Sequence, residues 1–144
     1  MELLKSLNIF FVDDDAFSLS LYQQHASRLG CQQIKTFESG TACLNCLTEN
    51  PDIIFLDHGM SEITGIEILK KIKRFNPDIY VVFISGQENI TTAVNALKFG
   101  AFDYIVKGEL ELENITRVLN KITETMELLK KNNPSFIKKL LSFM

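Results

Sequence analysis

The feature that most constrains this chain is an alternation, repeated five times, of a short apolar run with a stretch of helical periodicity. Asn8–Asp13 (NIFFVD), Gln33–Phe37, Asp52–Asp57 (DIIFLD), Ile79–Ser85 (IYVVFIS) and Phe102–Val106 read as strands. The near-continuous apolar character of DIIFLD and IYVVFIS predicts strands buried on both faces. Ala16–Leu29, Thr41–Thr48, Ile66–Phe75 and Ile90–Phe99 read as the intervening helices, and a long helix follows from about Leu112 to Lys130. Gly30, Asn50-Pro51, Asn76-Pro77 and Gly100 supply the stops. In Ile66–Phe75 the apolar residues Ile68, Leu69, Ile72 and Phe75 recur at helical spacing, and in Ile90–Phe99 Ala93, Val94 and Leu97 are expected to face inward. Strands that alternate with helices predict an α/β fold, with a parallel sheet covered on both faces by right-handed crossovers.

Such doubly wound sheets bind ligands beyond the carboxyl ends of their strands. The polar residues at those ends are Asp13, Asp14, Asp15, Asp57, Ser85 and Lys107. Clustered carboxylates repel one another and call for a cation or a proton. Oxygen-only ligands favour a hard ion such as Mg²⁺. Ser85 adds a hydroxyl, and Lys107 adds a point charge on a flexible stem. Carboxylates, a hydroxyl and an ammonium around a divalent ion are the parts of a phosphoryl-transfer site. Asp15 is expected to cap the first helix, Gly86 to leave the site open, His58 to lie exposed in the loop after Asp57, and His25 to be structural.

The runs FFVDDDAF, PDIIFLDHGMSEITG, VVFISG and FDYIVK, in that order, resemble the receiver domains of two-component response regulators, of the stand-alone chemotaxis-regulator type. The likeness spans residues from about Asn8 to about Glu124. It implies a flavodoxin-like sheet of five parallel strands in the order 2-1-3-4-5. It also implies that Asp57 is the phospho-acceptor for a histidine kinase or histidine phosphotransfer protein. Asp14, Asp57 and the backbone carbonyl of Gly59 would ligate Mg²⁺, with Asp13 acting through water. Lys107 would bind the phosphoryl oxygens, Ser85 would move to hydrogen-bond them, and Tyr104 would swing inward as the second part of the switch. The domain would thus be a signalling switch that catalyses its own phosphorylation and dephosphorylation, and not an enzyme in the usual sense. Two positions depart from the pattern. Ser61 stands where a proline commonly follows the acceptor loop, which should loosen the loop from His58 to Thr64. Gly108 stands where a proline usually follows the lysine, so a trans Lys107–Gly108 bond is expected, with the ammonium still near Asp57.

The length of 144 residues allows one domain, residues 1–125, and a C-terminal helical extension, residues 126–144. A net charge of −3 without a basic run gives no nucleic-acid footprint, and no apolar run is long enough for a membrane span. No secretory signal is visible, and Cys31, Cys43 and Cys46 are an odd set, which points to reduced thiols in a cytoplasm. Cys43 and Cys46 form a CxxC inside a helix, where packing explains them without a metal. No DNA-binding or catalytic output segment is recognisable, so output is expected through a downstream protein target. In the last helix Leu112, Ile115, Leu119, Ile122, Met126 and Leu129 form a heptad-like stripe, whose first half is expected to pack on the sheet and whose last turns, near Met126 and Leu129, are expected to extend past the domain body. After Pro134, Phe136–Met144 is expected to form an amphipathic helix buried against protein, in cis or through a homodimer. Two other readings of the acidic residues stand beside the main one. Asp13-Asp14-Asp15 contains the DxD of a haloacid-dehalogenase-type phosphatase, and the chain could instead be a pseudo-receiver that binds partners without phosphorylation.

Overall fold

The computed structural model describes residues 2–59, 64–86 and 90–132. Its elements in chain order are α1 (Glu2–Ser6), β1 (Asn8–Val12), α2 (Ala16–Leu29), β2 (Gln33–Phe37), α3 (Gly40–Leu44), a 3₁₀ turn (Leu47–Glu49), β3 (Ile53–Asp57), α4 (Gly65–Phe75), β4 (Tyr80–Ser85), α5 (Ile90–Lys98), β5 (Asp103–Val106) and α6 (Glu111–Asn132). The strands form one sheet in the order β2-β1-β3-β4-β5, and every pairing is parallel. The sheet order is that of the flavodoxin-like fold, with its reversal between β1 and β3.

The apolar runs are strands because a central parallel strand has no solvent face. All five residues of β3 are buried. One core lies between the sheet and α1, α2 and α6, where Phe11 stacks on Phe55 with ring centroids 4.8 Å apart. The other lies between the sheet and α3, α4 and α5, and holds Phe10, Leu56, Ile68, Leu69, Ile72 and Phe83. Odd and even residues of β3 serve opposite cores, as the two-residue period of a strand requires.

The caps follow from sequence. The Asp15 side chain accepts from the Phe17 N–H and opens α2, and Gly30 closes it with a left-handed φ of 111°. The Thr64 hydroxyl accepts from the Glu67 N–H and opens α4. His25 is structural, its Nε2 lying 2.7 Å from the Thr116 hydroxyl across α2 and α6. All three cysteines are free thiols, and burial pushes the Cys43 thiol up to about 12.

Three expectations need correction. α1 was not foreseen, because five residues are too short to show a period, yet Leu4 and Leu7 beside it are buried. The helix expected over Thr41–Thr48 ends at Leu44, since Cys46 leaves helical geometry (φ −110°, ψ 11°), and a 3₁₀ turn follows. In α5 it is Ala96 that is buried, while Val94 and Leu97 are 54% and 49% exposed. Small side chains let α5 lie close to the sheet and turn its larger residues outward. α6 follows its expectation: Ile115, Leu119 and Ile122 are fully buried, and Leu129, in the last turns, is 55% exposed. At about 1.5 Å per residue this helix is about 33 Å long, roughly twice the length of the strands it covers, and its last turns overhang. The division expected at residues 125 and 126 falls within α6. The helix expected over Phe136–Met144 lies outside the described residues, as do Ser61 and most of its loop.

Candidate functional site

β1 and β3 are neighbours and end together, with Val12 paired to Leu56. That register sets Asp13 and Asp57 side by side at the carboxyl edge of the sheet. Carboxylate oxygens of Asp13, Asp14 and Asp57 all lie within 4.8 Å of one another. Asp13 and Asp57 are 1% and 6% exposed, and Asp14 faces solvent. Asp13 is oriented by the Asp15 N–H, which donates to its Oδ1 at 2.9 Å. Asp57 accepts from the Gly59 N–H at 3.0 Å.

Lys107 reaches the cluster from the end of β5. Its Nζ lies 2.9 Å from Asp13 Oδ2 and 3.5 Å from Asp57 Oδ2. Its backbone N–H donates to the Ser85 carbonyl at 2.8 Å, which ties the end of β5 to the end of β4. Among the described residues no peptide bond is cis, so the Lys107–Gly108 bond is trans and the ammonium still meets both carboxylates.

The electrostatics show a site short of positive charge. Burial pushes the Asp13 carboxyl above its usual range and the neighbouring Asp57 charge adds to that, although the Asp15 N–H and Lys107 pull the other way. Burial works against the Lys107 ammonium, but its hydrogen bond to Asp13 and the charges of Asp13 and Asp57 outweigh it and hold its pKa above the usual lysine value. Among the described residues one ammonium thus serves two buried carboxylates, with a solvent-facing third beside them. This donor set suits a hard divalent cation bound through oxygen.

Ser85 is 1% exposed at the end of β4, one register position beyond the Ile84 that pairs with Asp57. Tyr104 is half-buried on β5, its ring 6.2 Å from that of Phe83. Among the described residues nothing lies within 4 Å of where a Cβ on Gly86 would stand. His58 departs from expectation. It is half-buried, its ring edge-on to Phe83 at 5.5 Å, because the parity of β3 turns it toward α4. Sequence reasoning also missed Gly65, which packs against both His58 and Phe83. The signal was available in Thr64-Gly65-Ile66-Glu67, which has the spacing of a capping box and marks the helix start one residue earlier than expected.

Comparison with known proteins bears on the family and the fold. The model of the response regulator receiver domain matches residues 9–120. The transcriptional regulatory protein ZraR of Escherichia coli O157:H7 is 31% identical over 131 residues, which are 90% of this chain and 29% of that protein. A receiver domain protein from Clostridium thermocellum superposes with a TM-score of 0.78 at 27% identity, over 85% of this chain and 98% of the other. NtrX from Brucella abortus gives 0.77 at 31% identity, over 86% of this chain and 28% of NtrX. The chain belongs to the receiver domain family of response regulators, the phosphorelay side of two-component signalling. It spans less than a third of the length of the curated relatives it matches.

Proposed function

We propose that this domain is a Mg²⁺-dependent switch that accepts a phosphoryl group on Asp57 from the phosphohistidine of a histidine kinase or phosphotransfer protein. The observation that carries this reading is the convergence of Asp13, Asp14, Asp57 and Lys107 at the carboxyl edge of the sheet. An Asp57 carboxylate oxygen attacks phosphorus, the N–P bond breaks, and an acyl phosphate forms as the histidine leaves. Asp14, Asp57 and the Gly59 carbonyl would hold Mg²⁺ directly, with Asp13 bound through water. Bound Mg²⁺ would supply charge neutralisation at the acceptor and the incoming phosphoryl group. Lys107 neutralises phosphoryl oxygens from the opposite side. Ser85 donates its hydroxyl to the phosphoryl group, and Tyr104 moves inward beside it.

Output in this reading passes through a protein surface on α5, β5 and α6. Ile90, Val94 and Leu97 are exposed one turn apart along α5, which supports a docking role for that face. The domain itself presents no nucleic-acid site in this proposal, although relatives such as ZraR are transcriptional regulators. Whether the switch acts alone, as in chemotaxis-type regulators, or within a longer regulator is decided outside this domain. Among the described residues no helix is long and apolar enough to cross a membrane. The free thiols support a cytoplasmic setting. The phosphatase reading draws no support from the family match.

Acetyl phosphate with Mg²⁺ should modify the chain once. Mg²⁺ affinity should fall further in Asp14→Ala than in Asp13→Ala, because Asp14 is the direct ligand and lacks the Lys107 partner. Equal affinities would overturn that ranking. Mg²⁺ binding without any reactivity toward the phosphodonor would restore the pseudo-receiver reading. For the extension, deletion of residues 134–144 should change oligomeric state or stability and leave modification of Asp57 intact. A deletion that alters neither, by light scattering and thermal melt, removes the extension from the proposal.

A further inference from the structure

The proposed chemistry leaves His58 unused. It follows Asp57 directly, and its ring meets Phe83 edge-on, with centroids 5.5 Å apart and planes at 82°. Phe83 in turn lies against Tyr104, 6.2 Å away. The sheet register explains the row. Leu56 pairs with Phe83 and Phe83 pairs with Tyr104, so these side chains share one face. His58, two residues beyond Leu56, projects toward the same side. The start of α4 closes the row. A Cβ on Gly65 would stand 2.7 Å from Phe83 Cε1 and 2.9 Å from His58 Nδ1. The two rings therefore sit in a slot walled by a glycine.

A second observation concerns the ring itself. Nδ1 of His58 is buried and has no hydrogen-bond partner among the described residues. Buried polar atoms are nearly always paired, and leaving one unpaired disfavours the conformation that buries it. An apolar side chain would fill the slot without that penalty. The histidine is thus weakly held in a packed arrangement, and packed contacts change between discrete positions more readily than they deform.

We propose that His58 is a positioning residue that couples the state of Asp57 to the rotamer of Tyr104 through the ring of Phe83. This inference rests on the acceptor reading of Asp57 and adds a route that does not pass through the Ser85 hydroxyl. Modification changes the charge beside the His58 peptide. A shift of the His58 ring changes the surface that Phe83 offers to Tyr104. The ligand moves the Tyr104 equilibrium only as far as it favours one arrangement of the row over the other.

The test compares the free and the beryllofluoride-loaded 144-residue chain, both with Mg²⁺, and reads Tyr104 ring resonances by NMR. Acetyl phosphate stoichiometry at Asp57 is read separately by mass spectrometry. In His58→Leu the Tyr104 shift on loading should fall at least twofold, with stoichiometry unchanged. His58→Phe keeps a ring but removes the unpaired nitrogen, so it should raise Tm and, with the ring held more firmly, leave the Tyr104 shift on loading below that of wild type. Phe83→Leu should lose the shift with His58 intact. A full Tyr104 response in His58→Leu overturns the coupling alone. So does a folded His58→Leu that cannot be modified, because His58 would then belong to the acceptor chemistry. Wild-type protein that takes no phosphoryl group overturns the acceptor reading and this inference with it.

Discussion

Asp57→Ala should take up no phosphate from acetyl phosphate, and chelation should abolish uptake in the wild type. The structure makes a second, opposite expectation for the same variant. Asp57 is buried beside Asp13 and raises the cost of charge there, and among the described residues Lys107 alone forms an ion pair with both. Removing it relieves repulsion between like charges in a low-dielectric setting. In Mg²⁺-free buffer Asp57→Ala should therefore melt no lower than wild type. Adding Mg²⁺ should reverse the order. A ligand at a hundredfold excess over its Kd stabilises the state that binds it by about 2.7 kcal/mol. Wild type should gain roughly that and the variant little of it. Phosphate uptake by Asp57→Ala at wild-type stoichiometry would place the acceptor elsewhere. A Mg²⁺-dependent rise in Tm of the same size in both proteins would remove Asp57 from the cation site.

The residues of this site were legible because each stands where an apolar run stops. Asp13 ends NIFFV, Asp57 ends IIFL, Ser85 ends YVVFI and Lys107 follows YIV, so the topology alone gathers them at one edge. The sequence was less informative where a residue's side of an element decided its role. His58 read as a loop residue because it follows the last strand position, yet strand parity carries one step further and turns its ring onto Phe83. In α5 (ITTAVNALK) apolar residues occur on more than one face, so periodicity could not choose which face turns inward. Packing chose the alanine side, a decision that depends on how closely the helix approaches β5. The neighbour contacts of Gly65 were equally hidden, since a glycine at a helix start reads as punctuation until the facing side chains are known.

Gly65→Ala should destabilise the domain by about 1–3 kcal/mol, the usual range for overpacking a filled core. Helix propensity argues the other way, by at most about 1 kcal/mol in a helix interior and less at a first turn. Sterics should prevail because the space is closed on three sides. A Cβ would stand 2.7 Å from Phe83 Cε1, 2.9 Å from His58 Nδ1 and 3.1 Å from the His58 Cα. Phe83 is fully buried and cannot retreat without disturbing β4, and the Cα is backbone. Each kcal/mol should appear as a fall in Tm of about 2–8 °C. Gly86→Ala is the matched control, because among the described residues nothing lies within 4 Å of its added methyl, and it should melt within error of wild type. Equal melting of both variants would show that α4 can draw away from His58 freely. The same withdrawal would open the slot between His58 and Phe83, so Gly65→Ala protein that does fold should also show a weakened Tyr104 response on loading.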